Sequence, residues 1–382
     1  SFRKWYGNIE YTVNYENNGW LLKNTVDSKG KVPAHAFNED YIFKSNVNWS
    51  ALTSGTFGTR ITDYGFLFDA AGSAAFPEKK EDVYILSAFL NSKISNTCLL
   101  VMNPTLNFQA WQIGNLPISN LIFEDKVYKL AKICKTISKE EWDSRETSWD
   151  FEKLSLIDGK DLKSSFENYC SHWRDNFVQL HKNEEELNKL FIEIYDLQDE
   201  MDEKIKFKDI TILKEEAIII QIDKNISKEF LTESEKYLYD RGVSLEFNKN
   251  ELVKQFLSYA VGCIMGRYSI NKSGLIIANS DDILELLENK FIVKGTDGEI
   301  RQEIESKFLP DEFGIIPITD EKDFSNDIVE KVKEFIKFVY GEESLKDNLN
   351  FIAEALGNKD NKSSEEIIRT YFIKDFYSDH LQ

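Results

Sequence analysis

A chain of 382 residues, 42% of them apolar and 13% aromatic, is long enough for two or three domains and too apolar to be disordered. Its net charge of −19 opposes a polyanionic partner over most of the surface, and no apolar run approaches the roughly 18 residues of a membrane-spanning helix. The charge is uneven, because residues 1–120 carry ten basic and ten acidic side chains, so the whole deficit lies in residues 121–382.

The first 120 residues are rich in Gly, Asn, Thr and aromatics. Their pattern predicts strands over 9–14, 41–43 and 64–68, with turns at Asn17-Asn18-Gly19 and Ser28-Lys29-Gly30. One helix is predicted from Val83 to about Leu100, and a β-like run over 103–109 followed by Leu116-Pro117-Ile118 closes an α+β module. Residues 121–150 read as charged helix ending in the Trp142 to Trp149 stretch. From Phe166 to Leu197 apolar residues recur at spacings of three and four, which predicts a helix about 48 Å long. Its reach is taken as 162–203, and Glu184 stands where an apolar residue is due, weakening the seam. Further on, 209–213 and 217–222 read as strands, the second almost fully buried, and 251–265 as a buried helix stopped by Gly266. Three helices follow: Ser325 to Tyr340, Ser344 to Leu356, and one that opens with the capping box Ser363-x-x-Glu366 and keeps its helical pattern to Gln382. The expected fold class is α+β, with a module at 1–120, a helical spacer at 121–205 and a mixed, mostly helical domain at 206–382.

Motifs for catalysis are sparse. The four cysteines lie at least 36 residues apart with no C-x-x-C pair, and no two of the four histidines share a metal-ligand spacing, so no zinc site is expected. The spaced thiols fit a reduced, cytoplasmic protein. An amino-methyltransferase needs a Gly-rich turn after a strand for S-adenosylmethionine, and an Asp/Asn/Ser-Pro-Pro-aromatic loop for the flipped base. All six prolines (Pro33, Pro77, Pro104, Pro117, Pro310, Pro317) are isolated, and Asn103-Pro104-Thr105-Leu106 lacks the second proline and the aromatic. Gly55-Thr56-Phe57-Gly58 has no following helix, and no Walker-type phosphate loop occurs. Asp311 with Asp320-Glu321-Lys322 can be written as a metal-nuclease pattern, but such matches arise often by chance in a chain that is 30% charged. The chain by itself is therefore expected to be neither catalytic nor cofactor-binding.

Several runs carry a resemblance. They are Phe2 to Asn8 with Tyr11 to Gly19, Trp49-Ser50 with Ser54 to Arg60, and Phe68 to Ser73. Others are Asn103 to Gln109 with Leu116-Pro117-Ile118, Glu141 to Phe151, Phe191 to Glu200 and Tyr371 to His380, and the most specific is Ser258 to Ser269. Together they resemble the recognition and C-terminal region of BREX-system adenine-specific DNA methyltransferases (the PglX family) and of related type II restriction-modification enzymes. The resemblance implies a parent enzyme that methylates the exocyclic amine of adenine in a short non-palindromic site, using S-adenosylmethionine. Its catalytic loop would lie upstream of Ser1, in keeping with a first methionine only at Met102. Residues 1–120 also resemble the target-recognition domains of type I specificity subunits, with the long helix as spacer. The implied partners are double-stranded DNA, the upstream methyltransferase domain of the same chain and other defence-system subunits, with no membrane. The alternative reading is a protein-interaction scaffold, in which the long helix and acidic C-terminal region dock a partner subunit without reading bases.

On the first reading, Arg3, Lys4, Lys31, Lys44 and Lys93 are candidates to neutralise phosphates. Arg60, Asn103, Asn107 and Gln109 have the fork or amide geometry that reads guanine or adenine edges. Each has a structural alternative: Arg60 pairing with Asp63 or Asp69, Asn103 capping the turn at Pro104, and Arg267 serving a helix end. Trp5, Trp20, Trp49 and Trp111 are expected in cores.

Overall fold

The computed structural model describes residues 2–32, 38–53, 56–69, 71–103, 105, 107–223, 228–277, 281–312, 314–320, 324–357 and 362–380. Packing sorts the chain into two units, Ser1–Trp142 with Asn176–Ile212 and Asp143–Asp175 with Leu213–Gln382.

The first unit opens with α1 (Glu16–Asn24), in which Asn17, Asn18 and Gly19 all take left-handed backbone angles. Asn and Gly are the residues that tolerate this region, which is why the predicted turn survives inside a helix-like segment. Strands β1 (Asn46–Ser50), β2 (Arg60–Thr62) and β3 (Gly72–Ala75) form an antiparallel sheet in the order β2-β1-β3. No strand forms at 9–14, 41–43 or 64–68. Pairing goes instead to the short segments whose alternate residues, Val47, Trp49 and Ile61, reach the core.

The helix predicted over 83–100 is two, α2 (Lys80–Leu90) and α3 (Lys93–Met102), bent by 65° at Asn91-Ser92. Both residues at the break are occupied by side-chain bonding. The Asn91 amide donates to the Thr59 carbonyl (3.2 Å) and accepts from the Thr59 N–H (2.7 Å), and Ser92 Oγ accepts from Ser95 N–H as the N-cap of α3. No single helix among the described residues is long and apolar enough to cross a membrane.

Next come α4 (Ala110–Gly114), α5 (Asp125–Asp143) and the long helix α6 (Leu162–Ile194). The boundary between the units falls within α6, after Asp175. The helix stops earlier than its apolar period suggests. Asp196 turns left-handed, its N–H donates to Glu193 O, and Leu197 N–H donates to Ile192 O, a Schellman ending with Asp in the usual place of Gly. The core of this unit holds Trp5, Trp49, Phe57, Phe89, Phe108 and Phe191, with the Phe57 and Phe108 rings 4.9 Å apart.

In the second unit β4 (Ala217–Gln221) pairs antiparallel with β5 (Val243–Phe247), and α7 (Glu233–Asp240) lies between them in sequence. Only Ala217 of β4 is buried, so the near-complete burial expected there is not found; a strand in a two-stranded sheet has too little cover. Residues 209–213 form no strand, and the chain there makes a 3-10 turn at Phe207–Asp209. After α8 (Lys249–Ile264) comes an unanticipated meander of β6 (Ile283–Leu287), β7 (Lys290–Lys294) and β8 (Ile300–Glu305), closed over Ile276, Phe291, Val293 and Ile304.

Helices α9 (Ile328–Tyr340), α10 (Leu345–Leu356) and α11 (Ser364–Lys374) match the predicted pattern. Gly341 and Gly357 end the first two, and the Ser363–Glu366 capping box opens the third. A short α12 (Phe376–Asp379) follows, and residues 381–382 lie outside the described set. The fold is α+β, as the sequence implies.

The Ser258 to Ser269 run has a structural account. Arg267 and Tyr268 N–H groups both donate to Gly262 O (2.8 and 3.2 Å), folding the chain back at the end of α8. The Tyr268 ring then covers Gly262, where a Cβ would lie 2.6 Å from its Cδ2, and stacks on Tyr259 at 5.4 Å. Phe151 packs edge-on to both rings.

Candidate nucleic-acid interface

Alternation along β1 sends Val47 and Trp49 into the core and leaves Asn46, Asn48 and Ser50 on the opposite face. Register places Asn48 beside Arg60 and Ala74, Asn46 beside Thr62, and Ser50 beside Gly72. The strand residues on the second face of the sheet are thus amides, hydroxyls, small residues and one guanidinium, and the Asp69 carboxylate lies against Gly72, 3.3 Å from where a Cβ would stand. Arg60 Nε donates to Asn48 Oδ1 (3.2 Å) and Nη2 to Ser50 Oγ (3.4 Å). The Asn48 amide is itself oriented, its Nδ2 donating to Asn46 Oδ1 and Thr62 Oγ1 (3.4 Å each).

Arg60 has no carboxylate partner among the described residues. Both expected partners are otherwise engaged: Asp63 binds Lys135 through both oxygens (2.8 and 2.6 Å), and Asp69 Oδ1 accepts the Gly72 N–H (2.6 Å). Burial, and then the charge of Arg3, pushes the Arg60 guanidinium down to about 10, so it stays cationic at neutral pH. A half-buried cation held by neutral groups, with no anion beside it, is suited to receiving one from outside.

The other candidates lie elsewhere. Arg3 and Lys4 are buried, and neither head is available to a ligand. Arg3 Nη2 binds Glu141 (2.5 Å) with its guanidinium over the Trp142 ring, and Lys4 Nζ binds Glu184 (2.7 Å). A charge enclosed with its partner stays there, because separating the pair strands the other ion in the core. Lys31 and Lys44 are exposed, the latter 5.0 Å from the centre of the Tyr41 ring. Lys93 binds Asp202 (2.5 Å) at the surface.

Asn103 caps its own turn, donating to Asn107 O (2.7 Å) and accepting from Thr105 N–H and Oγ1, as its structural alternative supposes. Pro104 and Leu106 lie outside the described residues, as does Gly55. Gln109 Nε2 donates to Asn107 Oδ1 (2.6 Å), so these amides meet in one turn, which Leu52 bridges at Asn107 two residues past β1. Trp5 and Trp49 are core residues, but Trp20 and Trp111 are exposed. Arg267 donates to Tyr268 Oη at 3.2 Å, a helix-end role. Of the nuclease-like pattern, Glu321 and Lys322 are outside the described residues, and no metal-holding cluster occurs among the described ones.

Sequence reading missed Asn48 and Ser50. Their signal was present in the polar-apolar alternation of Asn46-Val47-Asn48-Trp49-Ser50, but only the strand pairing tells that the polar side meets Arg60.

No family model matches the chain. Along its whole length it is 32% identical, over 392 residues, to the adenine-specific methyltransferase PglX of Lacticaseibacillus casei (strain Zhang). It is 33% identical, over 396 residues, to the adenine-specific methyltransferase BrxX of Escherichia coli O9:H4 (strain HS). The chain spans 28% and 29% of these two curated relatives, less than a third of their length. Its homologues are thus adenine-specific methyltransferases, and the likeness is to one part of them.

Proposed function

We propose that the chain is the DNA-target-recognition and C-terminal part of a BREX-type, site-specific adenine DNA methyltransferase, acting in the cytoplasm. Catalysis would come from a methyltransferase domain elsewhere in the same polypeptide, which binds S-adenosylmethionine. The observation that carries this reading is end-to-end similarity to less than a third of two adenine-specific methyltransferases, in a chain whose own sequence holds neither a Pro-Pro loop nor a Gly-rich strand turn.

Methylating an adenine amine in duplex DNA requires the base to leave the stack and the duplex to be held in register meanwhile. Phosphate contacts supply the register and base contacts the sequence choice. The exposed Lys31 and Lys44 suit the first task, and the face around Arg60 the second. Arg3 and Lys4 serve the integrity of the module.

The test is to exchange residues 1–120 between two full-length homologues with different target sites and map methylated adenines by sequencing. The methylated site should follow the exchanged segment. If only assembly with other subunits changes and the site stays put, the scaffold reading replaces this one.

A further inference from the structure

We propose that Arg60 reads a guanine of the target site through the major groove, and that Asn48 and Ser50 are the positioning residues that present it. This assignment rests on the recognition reading above and goes beyond it to one base type and three side chains.

A guanidinium has five N–H donors in a plane, one on Nε and two on each Nη. Asn48 takes the Nε donor and Ser50 takes one on Nη2, and these two lie along the same edge of the plane. That edge is tied to the sheet. The other edge, Nη1 with the remaining Nη2 hydrogen, keeps two donors side by side and has no hydrogen-bond partner among the described residues. Two adjacent donors match two adjacent acceptors. In the major groove guanine presents O6 and N7, whereas adenine presents N7 beside an amino donor that would face the guanidinium and be rejected.

Three surroundings favour this use. Ala74, in register with Asn48, places only a methyl group on the face that holds Arg60. Among the described residues no carboxylate pairs with the fork, Asp63 and Asp69 being engaged by Lys135 and the Gly72 N–H. Arg60 is also held on a strand: Thr59, its neighbour, is fastened through both backbone groups to Asn91, and the Arg60 side chain is braced twice. A fixed fork loses little freedom on binding a base edge. A phosphate offers the same acceptor pair, and sequence dependence separates the two sources.

The experiment uses the full-length methyltransferase containing this chain, with modified adenines mapped across a genome. Arg60→Gln and Arg60→Lys should each relax one G·C position of the motif, lowering discrimination there about tenfold or more while the remaining positions stay intact. Lysine keeps the charge and loses the fork, so an unchanged motif in Arg60→Lys with uniformly weaker methylation in Arg60→Gln would identify a phosphate contact and overturn the assignment. Asn48→Leu removes the acceptor that holds Nε and should relax the same position; relaxation elsewhere, or none, overturns the positioning role. An exchange of residues 1–120 that leaves the site unchanged would instead defeat the recognition reading. If the exchange moves the site while the Arg60 variants keep it, only the guanine assignment fails.

Discussion

Glu184 looks from sequence like a flaw in an apolar seam, and in the fold it is a clamp. Its Oε2 accepts from Lys4 Nζ (2.7 Å) and its Oε1 from Trp5 Nε1 (2.8 Å), and all three residues are almost fully buried. Glu184→Leu would complete the seam but strand the Lys4 ammonium, and should cost about 3–5 kcal/mol in denaturant unfolding. Adding Lys4→Met should recover most of that loss, because no unpaired charge then remains. Equal stability of the single variant and the parent would show that the pair carries nothing. Glu146 behaves differently. Burial raises its carboxyl above the usual 4.5, against the opposing influence of Ser258, Arg267, His380 and Tyr268. Folding therefore holds the proton more tightly, and the stability this confers is full below 4.5 and lost as pH rises through the folded value. Glu146→Gln, which mimics the protonated form, should melt higher than the parent at pH 8 and nearly with it at pH 4. A gain of the same size at both pH values would contradict this cause.

Secondary-structure elements differ in how far they can be read locally. The ends of α8, α9 and α10 and the start of α11 were legible because Gly266, Gly341, Gly357 and the Ser363–Glu366 box act within one turn of the chain. The break between α2 and α3 was not, since Asn91 leaves the helix pattern to hold Thr59, 32 residues earlier. Strands fared worst. The segment 9–14, with Ile9, Tyr11, Thr12 and Val13, has strand composition but forms no strand, while the plain segment 72–75 becomes β3 by pairing with β1. Likewise the Gly262 contact explains the Ser258 to Ser269 run only after Tyr268 has folded back. Gly262→Ala should lower stability by about 1–3 kcal/mol, because Cβ and the Tyr268 ring cannot both keep their places. Unchanged melting of that variant would mean the ring is free to move.

For the molecule as a whole, charge sets the terms. Residues 1–120 are neutral and the remaining 262 carry the entire −19, so the chain has little long-range attraction for a polyanion. The isolated chain is expected to retain duplex DNA weakly or not at all at about 150 mM salt. Sequence-specific nanomolar retention in an anisotropy titration at that salt would show that these 382 residues suffice for recognition. The sequence alone determined the α+β class, most helices and their ends, the lack of a Pro-Pro loop and the methyltransferase resemblance, because these are written in local period, local capping and contiguous motifs. Tertiary structure decided that Arg3 and Lys4 are enclosed with carboxylates while Arg60 pairs with none among the described residues. That outcome turns on which distant residues, Glu141, Glu184, Asn48 and Lys135 beside Asp63, arrive next to each charge, and spacing along the chain does not encode it.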